Sequence, residues 1–142
     1  MKSYTDIEQS KKLAEILPLE TADMKYKEYT SELDYSSKHC SVPSVGHPFK
    51  RDIPCWSLAV LLNLLPSEFT EKGKYSETTY KIDIRKHALT EDVDVYQIAY
   101  GNYKIYEDGN SLWKDMINTG EKENLIDVAF DMICWLKENK KL

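Results

Sequence analysis

The sequence has few glycines and no long apolar run, and each of these absences excludes a class of protein. Only 5 of the 142 residues are glycine, and they form neither a phosphate-binding loop nor the Gly-x-Gly-x-x-Gly pattern of dinucleotide-binding proteins. No apolar segment approaches the roughly 20 residues that cross a bilayer. The N-terminus, MKSYTDIEQS, lacks the apolar stretch of a signal peptide. We therefore expect a cytoplasmic protein with no membrane association.

The chain also lacks a net positive charge and has only three cysteines. The formal net charge is −5, which makes nucleic acid an unexpected main partner, because the phosphate backbone binds basic surfaces. Three cysteines is an odd number, typical of reduced thiols in the cytosol rather than of a disulfide framework. A chain of this length with 42% hydrophobic residues has the size and the apolar content of one domain, residues 1–142.

The clearest element is an amphipathic helix predicted at residues 124–139. Its apolar residues recur at steps of three and four, as in a helix that packs on a core. Asn124 is placed to cap the first turn through its side-chain oxygen. The residues expected on the buried stripe are Ile126, Ala129, Phe130, Ile133 and Leu136.

Two further helices are predicted earlier in the chain. The segment 57–65 is almost entirely apolar and begins at Ser57, a good N-cap, so we expect a short central helix that is covered on most sides. A first helix is predicted at 6–17, with Asp6 or Thr5 as its cap.

An antiparallel sheet is predicted between these helices. Residues 76–86 and 93–100 alternate between apolar and polar residues, which is typical of strands. Gly101-Asn102 is a candidate tight turn into a third strand, 103–106. The fold class that follows is α+β, with a three- to four-stranded antiparallel meander packed against the central helix and the C-terminal helix.

Three other segments have weaker patterns. Residues 24–33 alternate well enough to predict a strand. Residues 34–52 contain many serines, prolines and a glycine, which predicts a long loop of the kind that is often functional. Residues 112–117 are expected to form a short helix or a loop.

The loop and its exit contain four candidate zinc ligands. Imidazole and thiolate are the ligands that zinc prefers in proteins, but no Cys-x-x-Cys or His-x-x-x-His pair is present. The competing interpretation is that the histidines are ordinary loop residues, that the last cysteine is buried beside Trp56, and that no cofactor is bound. The four candidates are His39, Cys40, His47 and Cys55.

A cysteine nucleophile is a second candidate chemistry. Cys55 could act with His47, His39 or His87 as the base, and a position near a helix N-terminus would lower the pKa of its thiol. The competing interpretation is a core cysteine. The sequence contains neither a serine nucleophile elbow nor a His-Glu-x-x-His motif.

A basic strand is the candidate site for nucleic acid. Lys81, Arg85 and Lys86 lie in the predicted strand 76–86, and tyrosines are frequent nearby, so an aromatic and basic sheet face is conceivable. Tyrosine is also common in strands because it packs well there.

Three motifs carry a resemblance to a family of small proteins from phage-like and mobile-element regions of gut Bacteroidetes. They are QSKKLAEILPLETADM, IPCWSLAVLLNLLP and ENLIDVAFDMICWLKENK. The family has no assigned activity, so the resemblance implies one cytosolic domain and leaves the activity open. The order of three strands and a helix is also similar to the module of HicB-type antitoxins, a likeness of architecture alone.

The functional expectation is a non-enzymatic interaction or accessory protein of phage or mobile-element origin, with a protein partner and with a homodimer as one form of that partner. Aromatic residues are enriched at protein interfaces, and no catalytic set is assembled in the sequence. The first alternative is a small metal- or cysteine-dependent enzyme centred on residues 39–55. The second is a module that binds nucleic acid or a toxin.

Overall fold

The structure is a computed structural model that describes residues 2–30 and 36–142. The chain divides into two compact units, Met1–Leu64 and Leu65–Leu142. Helices and antiparallel sheets are both present, so the α+β prediction is confirmed. A single domain for residues 1–142 stays a prediction.

The first unit is built from two helices and short strands. The helices are α1 (Ile7–Ile16) and α2 (Leu58–Leu64), and a 3-10 helix spans Leu19–Thr21. The strands form one three-stranded antiparallel sheet in the order β4-β1-β5 and one pair, β2 with β3. Their bounds are β1 (Met24–Tyr26), β2 (Glu28–Thr30), β3 (Ser37–His39), β4 (Ser44–Val45) and β5 (Ile53–Cys55).

A capping box starts α1. The Asp6 side chain accepts from the backbone N–H of Gln9 at 2.8 Å, and the Gln9 side chain accepts from the N–H of Asp6 at 3.1 Å. These two bonds satisfy amides that have no partner within the helix. Asp6 is thus the cap, and Thr5 instead lies buried beside Ser10, with 2.7 Å between their hydroxyl oxygens.

The second unit is a four-stranded antiparallel meander with a helix on it. The strand order is β6-β7-β8-β9. Helix α3 (Leu125–Glu138) packs on β8 and β9 and buries residues along its length, Ile126 and Ile133 among them. The predicted meander and C-terminal helix are therefore confirmed. The strand bounds are β6 (Glu68–Lys72), β7 (Glu77–Ala88), β8 (Asp94–Ile105) and β9 (Ser111–Lys122).

The turn predicted at Gly101-Asn102 is wrong, because both residues lie inside β8. The chain reverses instead around Gly109, which has a φ of 84°, a value that favours glycine. The segment 112–117, expected as a helix or a loop, belongs to strand β9. Pairing with β8 decides its conformation, since strand formation depends on neighbouring strands more than on local preference.

The predictions around residues 24–52 are partly corrected. Residues 24–30 form two short strands rather than one, and 31–33 lie outside the described residues. Within the predicted loop 34–52, the described part from residue 36 contains β3 and β4; 34 and 35 lie outside it. These strands are short because each pairs over only two or three residues.

Two helix predictions also need correction. Helix α2 is not covered on most sides, since Leu61 is its buried residue while Ala59 is exposed. The Ser57 hydroxyl does accept from the N–H of Val60, at 3.3 Å, as its capping role requires. Asn124 occupies the N-cap position of α3 without a side-chain capping bond. Packing of α2 on the meander stays a prediction.

Candidate functional site

The meander forks where β7 and β8 separate. The last pair between these two strands is Lys81 with Gly101. Before it in the chain, residues 77–80 of β7 pair with β6. After it, residues 102–105 of β8 pair with 111–114 of β9. We call this two-stranded extension, residues 102–105 and 111–114, the arm.

Gly101 sits at the base of the arm, and the side chain of Trp113 lies against it. A Cβ atom at Gly101 would be 2.9 Å from Cζ2 of Trp113 and would overlap the carbonyl oxygen of Lys114. Only glycine lets Trp113 and the backbone of Lys114 approach this closely, which explains why a glycine occurs inside a strand. The indole also meets the ring of Tyr103 edge to face, with 5.4 Å between ring centroids.

A network of hydrogen bonds fixes Trp113 and Arg85 together. The indole N–H of Trp113 donates to Oδ1 of Asp115 at 2.7 Å, and Arg85 donates to the same oxygen. Arg85 also donates to Asp83 and, at 3.3 Å, to Gln97. The guanidinium is thus held in one orientation by groups from three strands. We call Asp83, Arg85, Tyr103, Trp113 and Asp115 the Arg85–Trp113 cluster.

The electrostatics of the cluster favour permanent charges over proton transfer. Burial opposes the charged form of Asp115, but hydrogen bonds from Arg85, Trp113 and Asn118 outweigh it and hold the pKa of that carboxyl below its usual value. The hydrogen bond to Asp115 raises the pKa of Arg85, against a smaller effect of burial. Both groups stay ionised near neutral pH, so the arrangement suits recognition rather than acid–base catalysis.

The cluster borders a cavity of about 520 Å³. Tyr103 is 64% exposed, and the side chain of Arg85 is 34% exposed, so incoming groups can reach both. Aromatic rings beside an oriented guanidinium can bind an aromatic or aliphatic side chain. The cavity lining is Lys81, Ile82, Asp83, Arg85, Tyr103 and Trp113.

The three basic residues predicted from the sequence do not form one surface. Lys81 and Arg85 share a face of β7, whereas Lys86 follows Arg85 directly and points to the other face. Lys86 pairs with Asp94 at 3.3 Å and lies over the ring of Tyr96. Because Arg85 also has carboxylate partners, two of the three charges are locally neutralised.

The predicted zinc ligands have separate partners. Nε2 of His39 donates to the carbonyl of Arg51, and Nδ1 of His47 donates to the carbonyl of Ala22, both at 2.8 Å. Cys40 is half-buried and Cys55 is fully buried. Within residues 2–30 and 36–142, the structure brings no three His, Cys, Asp or Glu side chains together as a metal site would.

Cys55 does not have the environment of a nucleophile. It is the last residue of strand β5 rather than the start of a helix, and its sulfur lies 3.5 Å from the carbonyl oxygen of Thr5. Burial raises the pKa of the Cys55 thiol, against hydrogen bonds from Thr5 and Ser10 that lower it. The expectation that a helix N-terminus would lower this pKa is therefore wrong.

His47 does border a cavity, of about 490 Å³, in the first unit. Asp52 is part of its wall, but this carboxylate accepts from the backbone N–H groups of Glu28 and Phe49, each at 3.0 Å. These bonds outweigh burial and hold the pKa of Asp52 below its usual value. The carboxylate thus has a structural role, since it links the backbone at Phe49 to the backbone at Glu28. The lining residues are Ala14, Leu19, Glu20, His47, Pro48, Lys50, Asp52 and Pro54.

Sequence reasoning found Arg85 but missed the residues that organise its surroundings. Trp113 and Asp115 lie in the segment that the sequence predicts as a helix or loop, and Gly101 lies where it predicts a turn. The signal that could have revealed them is the alternation of half-buried and exposed residues through β9. A tryptophan and an aspartate two residues apart in a strand share one face.

No family model matches the sequence, and the searches of curated proteins and of solved structures each returned no similar protein. None of the helices in the described part of the chain has the length and apolar character required to cross a membrane.

Proposed function

We propose that this protein is a non-enzymatic interaction protein that binds a partner protein through the Arg85–Trp113 cluster. The observation that carries the proposal is a tryptophan, a tyrosine and an arginine gathered at an accessible cavity and held in place by Asp115. These residue types dominate the binding energy of protein interfaces. A preorganised cluster binds with less loss of conformational entropy than a flexible one.

Two parts of the proposal concern origin and location. An origin in a phage or mobile element is supported by the three motifs of the sequence resemblance. A cytoplasmic location is supported by the cysteines, since Cys40, Cys55 and Cys134 form no disulfide bond and reducing compartments keep thiols reduced.

The alternatives have less support. An enzyme centred on residues 39–55 would need Cys55 to be accessible and its thiolate to form readily, and the residue is buried with a raised pKa. A nucleic-acid module would need a continuous basic surface, whereas Arg85 and Lys86 are paired with carboxylates on opposite faces of β7.

The test is selection of binding peptides from a displayed library of random linear peptides, with the full chain as bait. We expect enriched peptides to lose at least about 30-fold in affinity for Trp113→Ala, since an interface hot spot contributes about 2 kcal/mol or more. Tyr75→Ala is the matched control, because Tyr75 is an aromatic residue that is 90% exposed, lies in the turn between β6 and β7, and does not line the cavity. The selected peptides should bind Tyr75→Ala as tightly as they bind the wild type.

Two results would overturn the proposal. One is enrichment of no peptide, and the other is equal binding of the selected peptides to wild type and to Trp113→Ala, provided that circular dichroism shows the variant to be folded. Light scattering of the purified chain gives its mass in solution. A dimer that Trp113→Ala dissociates would identify the partner as a second copy.

A further inference from the structure

The arm presents a short regular edge of backbone. Strand β9 is the last strand of the meander, so one side of it has no neighbouring strand in the described sheet. In its pairing with β8, strand β9 has one extra residue at Met116 and a second extra residue between Asn118 and Glu121. Both irregularities are bulges on β9, and bulges discourage the addition of another strand. The regular part of the edge is therefore residues 111–115.

One face of the arm carries two lysines, together with Asn102 and Leu112. Asn102 pairs with Lys114 and Lys104 pairs with Leu112, so the two lysines are diagonal neighbours on the same face. Within the described residues neither lysine forms an ion pair with a carboxylate. The proximity of Lys104 lowers the pKa of Lys114, because two positive charges lie close together without a carboxylate between them.

The other face of the arm is apolar. Tyr103 pairs with Trp113, and Ile105, which is 82% exposed, lies two residues further along the same face of β8. An extended segment beside residues 111–115 would therefore have one row of side chains next to lysines and the other row next to aromatic and aliphatic groups.

We propose that the β9 edge at residues 111–115 binds an extended segment of a partner protein, in which acidic and apolar residues alternate, as an added strand. The carboxylates lie beside Lys114 of β9, with Lys104 one strand further in on β8, and the apolar residues lie beside Trp113 of β9, with Tyr103 one strand further in. Main-chain hydrogen bonds supply affinity, and the two rows of side chains set specificity. This inference rests on the proposed interaction function and names the partner's chemistry.

A second copy of the chain fits this edge less well. Two-fold pairing of the 111–115 segments would place Lys104 and Lys114 of both copies on one face, where four like charges would gather without carboxylates. Like charges that face each other across an interface disfavour association. Charge complementarity thus favours an acidic partner.

The test uses the full chain and a fluorescein-labelled synthetic peptide of alternating glutamate and valine, with binding read by fluorescence anisotropy. A peptide with lysine at every glutamate position is the control probe. We expect the glutamate peptide to bind at least about tenfold more tightly. The variant Lys104→Glu/Lys114→Glu should reverse this preference. The variant Lys11→Glu/Lys12→Glu changes the net charge equally at exposed positions of α1 and should keep the wild-type preference.

Backbone methylation distinguishes strand addition from simple charge attraction. Two versions of the glutamate peptide carry N-methyl groups on alternate amides, one on the odd positions and one on the even positions. Only alternate amides of an added strand face the edge. We expect one version to lose at least about tenfold in affinity and the other to bind nearly as the unmodified peptide does.

The outcomes separate this inference from the proposed function. If the glutamate peptide does not bind while library peptides bind in a Trp113-dependent way, strand addition is overturned and the interaction function stands. If no library peptide binds either, both fail. Equal loss for the two methylated peptides, an unchanged preference in the charge-reversed variant, or a dimer that protects the 111–115 amides from hydrogen exchange would also overturn strand addition.

Discussion

Replacing Gly101 by alanine tests the central geometry of the cluster. The added methyl group would overlap the carbonyl oxygen of Lys114 and lie 2.9 Å from Cζ2 of Trp113. The first of these neighbours is backbone of the paired strand, so it cannot turn away as a flexible side chain would. Strands β8 and β9 must separate locally, and the indole must leave its position over the glycine.

The magnitude follows from three contributions. Overpacking at a site of this kind costs up to about 3 kcal/mol. Loss of one ladder hydrogen bond adds about 1 kcal/mol. Alanine restricts the unfolded chain more than glycine and so returns about 0.7 kcal/mol. We expect the free energy of unfolding to fall by about 3 kcal/mol, a large part of the 5–15 kcal/mol typical of a folded protein.

Urea denaturation followed by circular dichroism measures this change, and near-ultraviolet dichroism reports whether Trp113 has moved. Gly109→Asn is the matched control. Gly109 has a positive φ, which asparagine tolerates, and no atom lies within 4 Å of an added Cβ there. The control should change stability by less than about 0.5 kcal/mol. A loss below about 1 kcal/mol for Gly101→Ala would refute the packing argument.

Three further predictions concern Asp115, the cysteine thiols and Thr5. The pKa of Asp115 is depressed in the folded state, so its contribution to stability is present near neutral pH and is lost as the pH falls below about 4. The urea midpoint should therefore fall less steeply on acidification in Asp115→Asn than in the wild type. Equal slopes for the two proteins would contradict this. Iodoacetamide should label Cys40 well before Cys55 in the native protein, as mass spectrometry of digests can show, with urea-unfolded protein as the control; early labelling of Cys55 would contradict its burial. Thr5→Val should cost about 2 kcal/mol in urea denaturation, because it leaves the buried N–H of Trp56 without its 3.2 Å acceptor; a change within about 0.5 kcal/mol would show that another group replaces the hydroxyl.

The elements that could be predicted from the sequence are those whose pattern is local. The C-terminal helix follows from apolar residues at helical spacing, and its buried residues include the expected Ile126, Ala129 and Ile133. The capping box of α1 follows from the spacing of Asp6 and Gln9. Strand β7 follows from alternation. In each case neighbouring residues contain the signal, because helix and strand periods are properties of the chain itself.

The sequence by itself thus determined the α+β class, the C-terminal helix and the alternation that makes β7 a strand. Only the tertiary structure decided that Gly101 continues a strand, that β9 exists, and that Trp113 and Asp115 meet Arg85. A glycine followed by an asparagine is a turn signal when read locally, and it is overridden here because pairing with β9 keeps the backbone extended. Within the cluster, Arg85 and Asp115 are 30 positions apart, so its existence depends on strand order and register, which local patterns do not encode.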